Sequence, residues 1–118
     1  MVWVARPEVI AAWVFGSAQG GRVQPGGDVD IGVLFESPPS LGVQLELLAD
    51  LQQALEVEEV DLIALNEANP ILRFEAISGR PLFCRDAGRR AEFVSLTARE
   101  YEDGMAFVQR ALRNRGSA

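Results

Sequence analysis

Two aspartates, one residue apart, stand at the start of an otherwise apolar stretch, and they constrain this chain more than any other feature. Asp28 and Asp30 follow a segment, 20–27, that holds four glycines and one proline, and the apolar segment 31–35 comes next. Carboxylates resist burial unless a positive charge compensates them. Because residues i and i+2 of a strand face the same way, we expect both side chains to point at one bound cation.

A third aspartate occupies the matching place in a later apolar stretch. Residues 60–65 read Val-Asp-Leu-Ile-Ala-Leu, which predicts a strand whose second residue is Asp61. If the two strands are neighbours, Asp28, Asp30 and Asp61 converge at one end of a sheet. Oxygen-only ligands suit Mg²⁺ or Mn²⁺ rather than zinc. The three aspartates are therefore the predicted metal ligands and the predicted catalytic residues.

A glycine–serine turn supplies the other half of the predicted site. An apolar run ends at Gly16, and Ser17 follows it in a place where it could cap a short helix over 17–20. Backbone N–H groups at a helix start bind phosphate oxygens, and glycine lets the backbone approach closely. Two divalent ions roughly 3.5–4 Å apart would bind the attacking oxygen and the leaving oxygen of a phosphoryl displacement. We therefore predict that Gly16 and Ser17 bind phosphate opposite the carboxylates.

Each part of this pattern also has an ordinary structural explanation. Asp28 follows two glycines and could be a turn residue, and Asp61 follows an acidic run and could be solvated. A Gly-Ser turn is common by itself. Asp30 is harder to explain in this way, since its neighbours look like the interior of a strand. The order of the pieces, with both halves of one reaction present, favours the functional interpretation.

The composition excludes several other kinds of chemistry. The chain has no histidine and a single cysteine, which removes Ser-His-Asp and Cys-His catalysis, histidine or cysteine zinc sites and an internal disulfide. The net charge of −6 argues against direct nucleic-acid binding. No apolar run approaches the roughly 20 residues that span a bilayer, and no signal peptide is evident. These features favour a cytoplasmic protein that does not bind membranes.

The element pattern predicts an α/β (α+β) fold in one domain, 1–118. Its small mixed β-sheet has helices packed mainly on one face, and the core covers about 9–85. The predicted strands are 11–15, 29–35, 60–65 and a short edge strand at 81–84, and the predicted helices are 41–55, 70–78 and about 88–115. The glycine spacing does not match a Rossmann fold. The apolar stripe of the last helix is a candidate partner interface.

These motifs, taken together, resemble the minimal nucleotidyltransferases (MNT) of the DNA polymerase beta and kanamycin nucleotidyltransferase superfamily. The family pattern is a Gly-Ser turn, a glycine-containing loop, an Asp-x-Asp strand and a later aspartate. The tail at 69–83 is also similar to the family's helix, glycine and short strand. The resemblance covers about 9–85 and implies a nucleotidyltransferase-like fold.

The resemblance also implies an activity. A nucleotide monophosphate, expected to be AMP, would be transferred from ATP or another NTP to a hydroxyl of a partner protein. Two Mg²⁺ or Mn²⁺ ions would be the cofactors. Asp28 and Asp30 would bind both ions, and Asp61 would bind the catalytic ion and help to deprotonate the acceptor. The partner would be a small helical HEPN protein, and the chain the antitoxin of a toxin–antitoxin pair. A homo-oligomer is compatible with this prediction, which leaves the oligomeric state open.

Three positions depart from the family pattern. Family members usually have serine before the first aspartate, where this chain has Gly27, and often have arginines where it has Ala18 and Gly20. An alternative is therefore a catalytically decayed antitoxin that neutralises its HEPN partner by binding only. A third reading is a sensor that binds nucleotide without transferring it.

Overall fold

The computed structural model describes residues 2–16 and 29–116, and it contains the predicted elements in the predicted order. The strands and helices are β1 (Val9–Phe15), β2 (Val29–Phe35), α1 (Leu41–Leu55), β3 (Val60–Ala64), α2 (Pro70–Ile77), β4 (Arg80–Cys84) and α3 (Ala87–Gly116). β1 begins two residues earlier than predicted, because Val9 pairs with Phe35 across an irregularity in the ladder. The predicted short helix over 17–20 lies outside the described residues.

The sheet has four strands in the order β3-β2-β1-β4 and is mixed, as predicted. β1 runs antiparallel to both β2 and β4, whereas β2 and β3 are parallel. A parallel pair needs a crossover connection, and α1 supplies it. β4 lies at the edge, where the missing N–H of Pro81 is tolerated. The predicted fold class is confirmed.

Helices cover both faces of the sheet. Two of the three, α2 and α3, share one face, where Ala76 and Phe93 pack with Trp13 and other strand residues. α1 covers the other face with its buried residues Leu47 and Leu51. The prediction of helices mainly on one face therefore holds for two helices, and α1 is the exception. Because β1 and β2 are buried on both faces, their sequences read as continuous apolar runs rather than alternating ones.

Side-chain caps fix where the first two helices begin. The Ser40 hydroxyl accepts a hydrogen bond from the Val43 N–H, and the Asn69 side chain accepts one from the Leu72 N–H at 2.9 Å. Pro70 occupies the start of α2, where its missing N–H costs nothing. The helices begin at 41 and 70, as predicted; Asn69 is a predicted cap, whereas Ser40 is not predicted to be one.

The C-terminal half of α3 extends past the rest of the fold. Residues 102–115 are all exposed, and they include the apolar side chains Met105, Phe107, Val108 and Leu112. We call this segment, 102–115, the α3 extension. Within residues 2–16 and 29–116, no helix is both long enough and apolar enough to cross a membrane.

Candidate functional site

The structure places Asp30 and Asp61 side by side. They are paired residues of the parallel strands β2 and β3, and their preceding residues, Val29 and Val60, pack into the core beneath α1. Since side chains alternate along a strand, both aspartates lie on the opposite face, the one that carries α2 and α3. Asp30 is half-buried and Asp61 is exposed. Asp28 lies outside the described residues.

Two carboxylates at paired positions on one face repel each other unless a cation lies nearby. Carboxylate oxygens are the ligands that Mg²⁺ and Mn²⁺ prefer, so these residues fit such an ion chemically. In the part of the chain that the structure describes, no cluster of three or more potential metal-ligating side chains is found. The candidate metal site therefore consists of Asp30 and Asp61, with Asp28 as the expected third ligand.

Gly16 lies directly against one of these carboxylates. It follows Phe15, the register partner of Asp30, and it has a positive φ of 71°. A Cβ placed on Gly16 would lie 2.6 Å from Oδ2 of Asp30, which is closer than real contacts allow. The positive φ thus favours glycine here, and the Asp30 carboxylate would have to move to admit any side chain at this position. Ser17 lies outside the described residues.

We expect the substitution Gly16→Ala to destabilise the protein and to displace the Asp30 side chain. The positive φ and the clash together should lower the free energy of unfolding by about 1–3 kcal/mol. Denaturant unfolding followed by circular dichroism measures this change. Gly42→Ala in α1 is the matched control, because a Cβ added at this position would meet only the Ser40 hydroxyl, at 3.9 Å. That control should gain about 0.5–1 kcal/mol, and an equally stable Gly16→Ala variant would contradict the assigned contact.

A cavity of about 450 Å³ opens beside Gly16 and Asp30. This volume lies within the range of about 300–1,000 Å³ that is typical of small-molecule sites. Its walls come from the end of β1, from β2, α2 and α3. The lining residues are Phe15, Gly16, Asp30, Ile71, Phe74, Glu75, Ser78 and Tyr101. Among the lining residues within 2–16 and 29–116 none is basic, so this part of the cavity offers an anionic ligand no positive side chain.

Sequence reasoning missed the far wall of this cavity. Phe74 and Tyr101 stack face to face, with ring centroids 3.9 Å apart and an interplanar angle of 8°. Glu75, which follows Phe74 on α2, also lines the cavity. No sequence signal could have found these residues, because their meeting depends on how α3 packs against α2. The apolar spacing of each helix predicts a buried face but not its partner.

A mixed four-stranded sheet that brings two aspartates to paired positions beside Gly16 has the architecture expected of a nucleotidyltransferase. The family model for polymerase beta nucleotidyltransferases matches residues 2–88. Because this match spans most of the chain, the chain belongs to the polymerase beta nucleotidyltransferase family. No curated protein sequence matches it at a significant level.

Solved structures with this fold include several toxin–antitoxin complexes. One, a toxin–antitoxin with AMP-PNP, has a TM-score of 0.77 at 24% identity and covers 96% of this chain and 90% of that chain. Another is tri-AMPylated HEPN toxin with MNT antitoxin from Shewanella oneidensis, with a TM-score of 0.68 at 24% identity and coverage of 92% and 83%. A third is an MntA complex with two aspartates replaced by glutamate, with a TM-score of 0.79 at 23% identity and coverage of 96% and 90%. At these identities the likeness establishes the fold.

Proposed function

We propose that this protein transfers AMP from ATP to a hydroxyl of a HEPN-type toxin and is the antitoxin of that pair. The observation that carries the proposal is the placement of Asp30 opposite Asp61, beside Gly16, in a chain of the polymerase beta nucleotidyltransferase family. The structurally similar complex with AMP-PNP supports ATP as the nucleotide, and the one with an AMPylated HEPN toxin supports such a toxin as the acceptor.

The proposed roles follow from the chemistry of each group. Asp28 and Asp30 would hold two divalent ions, and Asp61 would hold one of them. Ions in this place would neutralise phosphate charge and stabilise the attacking and leaving oxygens. Gly16 and Ser17 would bind the outer phosphates through backbone N–H groups and the serine hydroxyl.

The proposed reaction is a single displacement at the α-phosphorus of ATP. The acceptor oxygen forms a bond to this phosphorus while the bond to the bridging oxygen of pyrophosphate breaks, and pyrophosphate leaves. Asp61, the exposed member of the carboxylate pair, is the group we assign to receive the hydroxyl proton. Positioning and charge neutralisation supply most of the catalysis, so the absence of histidine is no obstacle.

The binding-only alternative is less well supported. Two carboxylates at paired positions beside Gly16 are the arrangement expected of a divalent-cation site, and a protein that only masks its partner has no need of such a site. The departures at Ala18, Gly20 and Gly27 all lie outside the described residues. An AMPylated toxin in a related complex also favours transfer over masking.

The α3 extension is the surface that we assign to the partner. Met105, Val108 and Leu112 are spaced to lie on one side of the helix, and each is at least 40% exposed. Tyr101, one turn before Met105, lines the cavity on the same side of the helix. A helical partner lying along this stripe would therefore reach the rim of the cavity at Tyr101.

We expect the double substitution Val108→Glu and Leu112→Glu to weaken partner binding by about tenfold or more, because it places charge in an apolar contact. Phe107→Glu is the matched control, since Phe107 is 67% exposed but lies on a different side of α3. Calorimetric titration with the HEPN protein measures both effects. If Phe107→Glu lost as much affinity for the partner as the double variant, this assignment of the interface would be wrong.

The proposed function is tested by incubating the protein and its HEPN partner with Mg²⁺ and ATP labelled at the α-phosphate. We expect label on the partner, release of pyrophosphate and a mass increase equal to AMP on a hydroxyl side chain. Binding of the partner with no label transferred, in the presence of bound ATP, would instead establish the binding-only antitoxin.

A further inference from the structure

The cavity beside Asp30 has two chemically different ends. Gly16 and Asp30 line it from the ends of β1 and β2, which we call the polar end, and Phe74 and Tyr101 line it from α2 and α3, which we call the aromatic end. The two rings lie parallel at 3.9 Å, and both side chains are half-buried, so part of the aromatic surface remains open to the cavity. The polar end suits phosphates and cations, whereas the aromatic end suits a flat, weakly polar group.

We propose that the Phe74–Tyr101 pair is the platform on which the base of the nucleotide stacks, with Glu75 as the residue that selects the base. This inference rests on the proposed function, and it adds a base-binding subsite to it. A base stacks favourably on an aromatic face, whatever its hydrogen-bonding edge. The platform therefore supplies affinity for any nucleotide, and selectivity has to come from a polar neighbour.

Glu75 is that polar neighbour. It follows Phe74 on α2, it is exposed, and it lines the same cavity. Because Glu75 is the neighbour of Phe74 on α2, we place it at the base end, where its carboxylate does not face the triphosphate that it would repel. Ionised carboxylates accept hydrogen bonds and cannot donate them. Glu75 thus favours a base that presents an exocyclic amine, as adenine does, over one that presents a carbonyl there, as hypoxanthine does.

The platform is tested with two ligands that share the triphosphate and differ in whether they carry a nucleoside. The dissociation constants of Mg-ATP and Mg-tripolyphosphate are measured by competition against an ATP analogue with a fluorescent label on its ribose. Tyr101→Ala should weaken ATP binding by about 5- to 150-fold, because a stacking surface is lost. Tripolyphosphate binding should stay within about twofold of the wild-type value, because it has no base to stack.

Tyr101→Phe separates stacking from the hydroxyl and guards against a folding defect. It keeps the ring, so we expect ATP binding within about twofold of the wild-type value. If Tyr101→Ala weakened ATP and tripolyphosphate equally, Tyr101 would only be holding α2 against α3, and the platform would be refuted. An unchanged affinity for ATP in Tyr101→Ala would also refute it.

The role of Glu75 is tested by comparing ATP with ITP, its analogue with a carbonyl in place of the amine. The wild-type protein should bind ATP about tenfold more tightly than ITP, and Glu75→Gln should reduce this preference to about twofold or less, because an amide can pair with either group. A preference that survives Glu75→Gln would overturn this role.

Failure of this inference and failure of the proposed function give different results. A wild-type protein that binds neither ATP nor tripolyphosphate contradicts the proposed function itself. A wild-type protein that binds both, with an ATP affinity that Tyr101→Ala leaves unchanged, contradicts only the base platform.

Discussion

Asp30→Asn should reduce AMP transfer by roughly 10²–10³-fold or more while leaving the protein folded. Asparagine has the shape of aspartate but carries no charge, so the carboxylate pair with Asp61 loses half of its negative charge. A neutral amide binds Mg²⁺ far less strongly than a carboxylate does. The rate of label transfer to the HEPN partner measures the loss, and the thermal unfolding midpoint checks the fold.

Asp50→Asn is the matched control for this substitution. It makes the same chemical change on α1, where Asp50 accepts a hydrogen bond from Arg6 at 2.8 Å on the other side of the sheet from Asp30. Its transfer rate should stay within about twofold of the wild-type rate, since it touches no substrate. If Asp30→Asn kept more than about one tenth of the activity, the assigned role of Asp30 as a metal ligand would be wrong.

Gly79→Ala should destabilise the fold by about 2–3 kcal/mol, because the added methyl group has no room. A Cβ at this position would collide with the backbone carbonyl oxygen of Val14 and lie 2.8 Å from the Cβ of Phe15. Val14 and Phe15 belong to β1, which is hydrogen-bonded on both sides in the sheet and cannot move away. The turn that holds Gly79 would have to shift instead, and because this turn packs against the strand end just before Gly16, the candidate site should be disturbed together with the fold.

Gly104→Ala provides a control of opposite sign. Gly104 lies in the exposed part of α3, and a Cβ there would meet nothing within 4 Å. Alanine should therefore raise stability by about 0.5–1 kcal/mol through its better helix propensity. Denaturant unfolding of the two variants measures both changes. A Gly79→Ala variant as stable as the wild-type protein would show that Gly79 does not pack tightly against Val14 and Phe15.

The pairing of Asp30 with Asp61 illustrates what local sequence can predict. Each aspartate comes one residue after a valine that begins an apolar stretch, so the strand positions follow from local pattern alone. That the two strands are neighbours was a condition of the prediction, and the parallel pairing of β2 and β3 meets it. The start of α2 was predictable from the same kind of local pattern, because Asn69 precedes Pro70 in the sequence.

The features that escaped prediction all depend on tertiary packing. The leucine spacing of α1 predicts a buried helix face, but it does not say which face of the sheet that helix will cover. The stack of Phe74 on Tyr101 joins residues of two helices whose crossing is not encoded in either helix by itself. The sequence therefore predicts the carboxylate end of the cavity but not the aromatic end.

The central claim, a divalent-cation site formed by strand aspartates beside a glycine turn, is tested most directly by anomalous diffraction. Crystals of the protein grown with Mn²⁺ and AMP-PNP would be measured near the manganese absorption edge. We predict an anomalous peak in contact with the carboxylates of both Asp30 and Asp61, on the sheet face that Gly16 abuts. A peak that touches neither carboxylate, with the nucleotide bound elsewhere on the protein, would contradict the proposed site.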